Sequence, residues 1–129
     1  EFLRAFLECR LTAQQFDHRA HVRAAWLLLN RYSIEDAIER MCTGTLRLAS
    51  LFGAPDKYNR TFTEAVMRVM AASPSIHAGW DEFTRAQSGL MGDVRALLAL
   101  HYSPERLYSL AAKEAFVMPD RSPLPACPM

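Results

Sequence analysis

Residues 16–29 decide the fold, and they read Phe16-Asp17-His18-Arg19-Ala20-His21-Val22-Arg23-Ala24-Ala25-Trp26-Leu27-Leu28-Leu29. On a helix of 3.6 residues per turn, the two histidines lie on one face, which Val22 and Leu29 continue. The arginines of the stretch lie on the opposite face. The pattern therefore predicts an amphipathic helix that buries one face and points His18 and His21 inward.

Capping signals predict where other helices begin. Thr12 with Gln15 and Thr61 with Glu64 have the spacing of a capping box, in which two side chains each bond the other residue's backbone N–H. This spacing predicts a helix start at both places. Ser33 predicts a third start, because a serine is followed there by carboxylates and then by apolar residues at helical period. Apolar spacing and helix-breaking residues predict further helices at 1–10, at 76–88, at 94–101 and after 103.

The absence of strand patterns sets the fold class. No segment alternates apolar and polar residues over the length of a strand, and no hairpin dipeptide such as Asn-Gly is present. Half of the 129 residues are hydrophobic, which is enough for a sizeable core. The sequence predicts an all-α fold, a single-domain irregular bundle of five to seven helices over residues 1–129.

The C-terminal residues 119–129 contain four prolines, so they cannot be helical throughout. They predict an extended, proline-rich tail. Two interpretations of this tail stay open. It is either a loose terminus or a strap, in which Leu124 closes over a groove between helices and residues 116–118 anchor the turn before it.

Composition and charge narrow the classes of function. Fifteen basic and fourteen acidic residues give a net charge of +1, and the arginines are spread along the chain, so we expect neither nucleic acid nor a membrane surface as a partner. The longest apolar runs are far shorter than the ~20 residues of a membrane span. The three cysteines stand outside any CxxC pattern, which favours reduced thiols. The expectation is a soluble, cytoplasmic protein.

The histidine pair is the first candidate site. Two imidazoles at the wet end of a buried helix face can hold a metal, bind a small acid or move a proton, and the residues alone do not choose among these. A divalent metal on His18 and His21 lacks a third protein ligand, whereas catalytic zinc sites use three. His77 and His101 are candidates by residue type only, and both fit equally well as capping or surface residues.

Four motifs cover most of the chain: Phe16-x-His18-x-x-His21-Val22-Arg23-x-Ala25-Trp26, Lys57-Tyr58-Asn59-x-Thr61-x-Thr63, Tyr102-Ser103-Pro104-Glu105-Arg106-Leu107 and Phe116-x-x-Pro119-Asp120. As a set they resemble a family of small, all-helical bacterial proteins of unassigned function. Members of that family commonly carry histidine where this chain has Asn59. The resemblance therefore implies a three-histidine cluster in relatives, formed at the heads of two helices, and it names no reaction.

Asn59 departs from the pattern of that family. An amide is a poor ligand for zinc or copper, whereas imidazole suits both. We therefore expect metal binding less in this chain than in a relative that carries the third histidine. Asn59 also fits as the cap of the helix that follows it. With Tyr58 and Thr63, it is alternatively one polar wall of a pocket opposite the two imidazoles.

Two hypotheses about function follow. The first is a small-molecule-binding protein or small enzyme with a pocket between two helices, lined by His18, His21, Tyr58, Asn59 and Thr63. Such a pocket would perform acid/base work or, with a divalent metal, activate water. The second is a non-catalytic interaction module that uses an exposed apolar surface, most simply for a two-fold homodimer.

Overall fold

The computed structural model describes residues 2–125. Within that range the regular structure is entirely helical and no strand occurs, so the prediction of an all-α fold is confirmed. The helices are α1 (Phe2–Leu7), α2 (His18–Arg31), α3 (Ile34–Leu51), α4 (Arg60–Ala71), α5 (Trp80–Ala86), α6 (Ser88–Gly92), α7 (Val94–Ala99), α8 (Pro104–Leu107) and α9 (Leu110–Glu114), with a 3₁₀ turn at Pro55–Lys57.

The described residues form more helices than the expected five to seven, because two segments are divided. The segment 76–88, expected as one helix, becomes helical only at Trp80, after Gly79 has taken a left-handed φ of 107°. A separate helix then begins at Ser88. Farther on, Ser109 caps a new helix after α8 has ended. In the part of the chain that the structure describes, no helix has the length and apolar character needed to cross a membrane.

Two of the predicted capping signals act differently from the prediction. Thr12 and Gln15 do form both bonds of a capping box, at 2.9 and 3.2 Å, but these bonds close an isolated turn. The helix begins later, at His18, where the Asp17 carboxylate accepts a hydrogen bond from the Ala20 N–H at 2.9 Å. The capping box therefore stabilises the approach to α2, and a different residue caps the helix.

The second capping-box prediction, Thr61 with Glu64, is wrong. The cap of α4 is Asn59, whose side-chain oxygen accepts from the Phe62 N–H at 3.0 Å. Thr61 and Glu64 make other bonds, which are described below. The Ser33 prediction is confirmed, because its hydroxyl caps α3.

The chain divides into two compact units, Glu1–Tyr58 and Asn59–Met129. The first contains α1 to α3 and the 3₁₀ turn, and the second contains α4 to α9. Each unit has a core of its own. That the two units make a single domain stays a prediction.

The core of the first unit forms where α2 and α3 pack against each other and against α1. Phe6 of α1 is fully buried. Its ring lies so close to α3 that a Cβ at Gly44 would come within 2.5 Å of the ring atom Cζ. Close approach of α1 to α3 therefore requires glycine at this position. The other buried side chains of this core include Ala24, Ala25, Leu28, Ile38, Met41 and Leu48.

We expect Gly44→Ala to destabilise the protein despite the better helix propensity of alanine. Relieving the contact with the buried Phe6 ring should cost about 1–3 kcal/mol, which exceeds the ~1 kcal/mol that alanine gains over glycine in a helix. Denaturant unfolding of the parent and the variant measures the difference. Thr43→Ala, at an exposed neighbouring position, is the control. A midpoint that is unchanged or higher for Gly44→Ala would contradict the close packing.

The core of the second unit forms around α4, which contacts α7 and α9. A cluster of four buried residues lies at its centre: Ala65, Leu98, Tyr102 and Leu107. Four partly buried apolar residues pack against this cluster: Phe62, Val66, Val117 and Leu124. The last two belong to the segment after α9, so the C-terminal segment contributes to the core.

That segment, residues 115–125, contains no helix, bends at Ala115 and at residues 120–122, and is here called the strap. The Thr61 hydroxyl donates a hydrogen bond to the Ala115 carbonyl at 2.9 Å and accepts one from the Val117 N–H at 3.1 Å. The Tyr102 hydroxyl donates to the Val117 carbonyl at 2.6 Å. Burial raises the pKa of Tyr102 to about 12, so this hydroxyl keeps its proton at neutral pH.

The second half of the strap is held by Ser103, Arg106 and His101. The Ser103 N–H and hydroxyl both donate to the Asp120 carboxylate, at 2.8 and 2.6 Å, and these bonds lower the pKa of Asp120. The Arg106 guanidinium donates to the Met118 carbonyl. The His101 carbonyl accepts from the Arg121 N–H at 2.9 Å. Of the two interpretations of the tail, the strap is therefore the one observed as far as residue 125, and residues 126–129 lie outside the described range.

Candidate functional site

The first turn of α2 carries both histidines, but it exposes them differently. His18 is the first residue of the helix and is exposed, whereas His21 is half-buried. The prediction that both imidazoles point inward is therefore wrong for His18. A residue at the first position of a helix has no preceding turn beside it, and an offset of three residues turns the side chain by about 60° from its neighbour.

The His21 ring is stacked on the ring of Phe16. The two ring centroids are 3.8 Å apart and the planes differ by 23°. Phe16 is itself buried, with the Phe6 ring centroid 5.4 Å away. One face of the imidazole is thus covered by an aromatic layer that continues into the core of the first unit.

The pKa of His21 is lowered from 6.5 to about 4, mainly by burial and also by the neighbouring His18, against a smaller opposing effect of Asp17. At neutral pH the His21 ring is therefore uncharged. A neutral imidazole has one nitrogen that donates a hydrogen bond and one that accepts. The first unit thus holds a half-buried imidazole that can do both.

Asn59 uses both ends of its amide within the second unit. Its oxygen caps α4 at the Phe62 N–H, and its nitrogen donates to the Leu107 carbonyl at 2.8 Å, forty-eight residues along the chain. The side chain is buried. Asn59 therefore acts as a helix cap and as a tie between α4 and the end of α8.

The five predicted site residues are distributed over both units. His18, His21 and Tyr58 belong to the first unit, and Asn59 and Thr63 belong to the second. Tyr58 and Thr63 are both half-buried. That the five residues share one pocket stays a prediction.

The described residues do not fit the three-imidazole cluster that the family resemblance implies for relatives. Within residues 2–125, no group of three or more His, Cys, Asp and Glu side chains could hold a metal ion. His18 and His21 supply two nitrogen ligands, and the amide at the third position is bonded at both ends. A divalent metal on this pair would need a ligand from elsewhere.

We expect both Asn59→Ala and Asn59→His to lower the free energy of unfolding by about 2 kcal/mol. Losing an N-cap costs about 1 kcal/mol, and leaving the buried Leu107 carbonyl unsatisfied adds at least as much. Imidazole cannot reproduce both bonds from this position. Chemical denaturation of each variant measures the loss, with Thr63→Ala in the same helix turn as the control. A parent-like stability of Asn59→His would show that the amide is dispensable.

Sequence reasoning missed a charged cluster on α4. Glu64 is buried, and its Oε1 accepts two bonds from Arg60, at 3.0 and 2.9 Å. Its Oε2 lies 3.0 Å from Nε and 2.8 Å from Nη2 of Arg68. The Arg68 guanidinium also lies over the ring of Phe116 in the strap, 5.6 Å from its centroid. The signal that could have revealed this cluster is the Arg-x-x-x-Glu-x-x-x-Arg spacing, since residues four apart are neighbours on a helix.

The last two family motifs meet in space through the strap. Ser103 of the third motif donates a hydrogen bond to Asp120 of the fourth motif. Arg106 of the third motif donates to the carbonyl of Met118, which lies within the span of the fourth. These residues of the last two motifs thus have structural roles here, and membership of that family stays a prediction. Comparisons of the chain with protein-family models, with curated proteins and with solved structures find no match.

Proposed function

We propose that this chain is a small-molecule-binding protein whose polar site is the head of α2. One observation carries the proposal: a half-buried, uncharged His21 ring covered on one face by Phe16, with the exposed His18 three residues before it. An aromatic layer beside a few polar groups is typical of small-ligand sites. Tyr58, which belongs to the same unit as the two histidines, is proposed as a further lining residue.

The chemistry of His21 favours a neutral ligand with a hydroxyl or amide group. An uncharged imidazole offers such a group one donor and one acceptor. A ring with a pKa near 4 is a weak base at neutral pH, so its first role is to bind and orient the ligand. Any acid/base chemistry would then involve His18, which is exposed to solvent.

The state of His21 is testable without a ligand. We expect NMR titration of its ring protons to give a midpoint near pH 4. Between pH 6.5 and 4 the unfolded chain binds the proton and the folded protein does not, so the stability due to the neutral ring is complete above pH 6.5 and is lost as the pH falls. Phe16→Ala should move the midpoint back toward 6.5, whereas Phe2→Ala should not. A parent midpoint near 6.5 would contradict the burial of this ring.

Ligand-observed NMR with a set of small neutral alcohols and amides tests the function itself. Compounds that bind the parent should bind His21→Ala at least about tenfold more weakly, because a site built for a hydrogen bond loses that much when a partner is removed. Arg31→Ala, at the other end of α2, is the matched control and should bind like the parent. Binding that is unaffected by His21→Ala would place the ligand site elsewhere.

A second candidate function is self-association as a homodimer in the cytoplasm. It is favoured by large apolar side chains that are exposed in the second unit, including Leu110 at 72 % and Met118 at 66 %. A surface that exposes several large apolar side chains is a candidate interaction surface. The free thiols of Cys9 and Cys42 support a reducing compartment. Light scattering at several concentrations tests the proposal, and a mass that stays at 14.6 kDa would refute it.

A further inference from the structure

The strap is recognised mainly through its backbone. Its carbonyls at Ala115, Val117 and Met118 each accept a hydrogen bond from a side chain of the helical part, and Thr61 also accepts from the Val117 N–H. One strap side chain, Asp120, adds a charged anchor. Recognition of this kind requires an extended backbone of the right sequence and does not require that the backbone be covalently continuous with the groove.

The groove that holds the strap is built before α9 in the chain. Its bonding side chains are Thr61 of α4, the residues His101, Tyr102 and Ser103 between α7 and α8, and Arg106 of α8. An identical strap from a second copy would make the same bonds to these five residues. Exchange of straps between two copies therefore loses none of the contacts that hold the strap.

The connection from α9 to the strap suits such an exchange. The helix ends at Glu114, and Ala115 is already extended, with φ of −151° and ψ of 159°. The chain bends at Ala115 where the strap docks in its own groove, and opening this one bend is the backbone change that an exchange requires. Pro119 fixes its own φ and disfavours helix at the preceding residue, so the strap keeps an extended form with little loss of chain entropy when it docks.

Three large apolar side chains within six residues of this connection are exposed in a single copy. Leu110 lies in α9, Met118 lies in the strap and Tyr108 lies between α8 and α9, and each is exposed by more than a third. In a reciprocal exchange the two connections run beside each other across a two-fold axis, which brings these side chains of both copies together. The exposed surface thus has an occupant of matching chemistry, the same surface of the second copy.

We propose that two copies of this chain exchange their straps, residues 115–125, and form a two-fold dimer in which each groove binds the partner's strap. The inference rests on the self-association candidate above and names the segment responsible. It does not depend on the histidine site.

A mixed-disulfide experiment on the full chain tests the exchange. Ser103→Cys is made in one preparation and Asp120→Cys in another, both with Cys9 and Cys127 replaced by serine. The Ser103 hydroxyl and the Asp120 carboxylate are 2.6 Å apart, so sulfurs at these positions meet when the strap is docked. Each chain carries only one of the two introduced cysteines, and the native Cys42 that remains is buried. A disulfide between Ser103→Cys and Asp120→Cys chains therefore requires the strap of one copy to dock on the other.

The matched control uses a Glu105→Cys chain in place of the Ser103→Cys chain. Glu105 is exposed on α8 and contributes none of the described strap bonds. We expect the docked pair to form the mixed disulfide at least about tenfold faster than the control pair, because docking raises the effective concentration of one thiol at the other. Equal rates overturn the proposal. If light scattering nevertheless gives a dimer, self-association stands and strap exchange fails. If the parent is monomeric, both fail.

An insertion variant tests the same exchange without cysteines, so the proposal can still be tested if a cysteine variant does not fold. Inserting three glycines between Glu114 and Ala115 leaves the groove and the strap intact, but it lengthens the connection, so that the strap docks on its own copy without the tight bend at Ala115. We expect the dimer fraction, measured by light scattering, to fall at least several-fold at equal concentration. A dimer fraction that the insertion leaves unchanged overturns the exchange.

Discussion

Thr61→Val is expected to lower the free energy of unfolding by about 2–4 kcal/mol, although the two side chains have nearly the same shape. The Thr61 hydroxyl is fully buried and bridges the Ala115 carbonyl and the Val117 N–H. Valine would leave both backbone groups without their partner, and each such loss costs about 1–3 kcal/mol, with the carbonyl of the exposed Ala115 at the lower end of that range. The loss comes from hydrogen bonding and not from a cavity, because the volume is conserved.

Equilibrium denaturation measures this loss, with Thr63→Val as the matched control. Thr63 lies on the same helix, is half-buried and makes none of the strap bonds described above. Thr61→Ser separates the two contributions, since it keeps the hydroxyl and removes only a methyl group. A Thr61→Val protein as stable as the parent would mean that the strap contributes little to the folded state.

Glu64→Ala is expected to lower the free energy of unfolding by about 3 kcal/mol. The Glu64 side chain is 6 % exposed, and the Arg60 and Arg68 side chains that flank it are 23 % and 30 % exposed. Removing one member of a buried ion pair costs about 3–5 kcal/mol, because the remaining charge loses its partner away from water. The lower end applies here, since both guanidiniums can still reach solvent. Glu64→Gln should cost less, because the amide oxygen still accepts from one arginine.

The first unit contains a natural control for this prediction. Glu8 also lies between two arginines, with Arg4 at 3.7 Å and Arg10 at 2.8 Å, but its side chain is 53 % exposed. Exposed pairs contribute about 0–1 kcal/mol. Glu8→Ala should therefore change stability much less than Glu64→Ala in the same denaturation experiment. Equal effects of the two substitutions would show that burial is not what makes the α4 cluster important.

The helical spacing of apolar residues predicts the structure correctly where a helix buries a single face in a core. The pattern beginning at Ile34 gave a helix that is observed as far as Leu51, and its Ser33 cap is observed as well. The pattern of α2 gave its buried face, with Val22 and Leu29 inside. These predictions succeed because helix spacing and local capping depend on residues only three or four positions apart.

The same local rules failed where a side chain bonds a distant partner. The Thr61 and Glu64 spacing suggested a capping box, yet Thr61 bonds residues 54 and 56 positions away. The sequence fits Asn59 both as a cap and as a pocket residue. Its hydrogen bond to the Leu107 carbonyl spans 48 residues, and no local spacing predicts a bond of that kind. For such residues, the choice between a structural and a ligand-binding role depends on which backbone groups the fold brings within reach.

The strap also sets an order of events during protein synthesis. All contacts of the first unit are available once residue 58 has left the ribosome, whereas the core of the second unit is incomplete until Leu124 has emerged. At translation rates of about 5–20 residues per second, the 66 residues between these points take roughly 3–13 seconds to make. During that interval the buried cluster around Tyr102 and Leu107 lacks Val117 and Leu124, the strap side chains that pack against it in the finished chain.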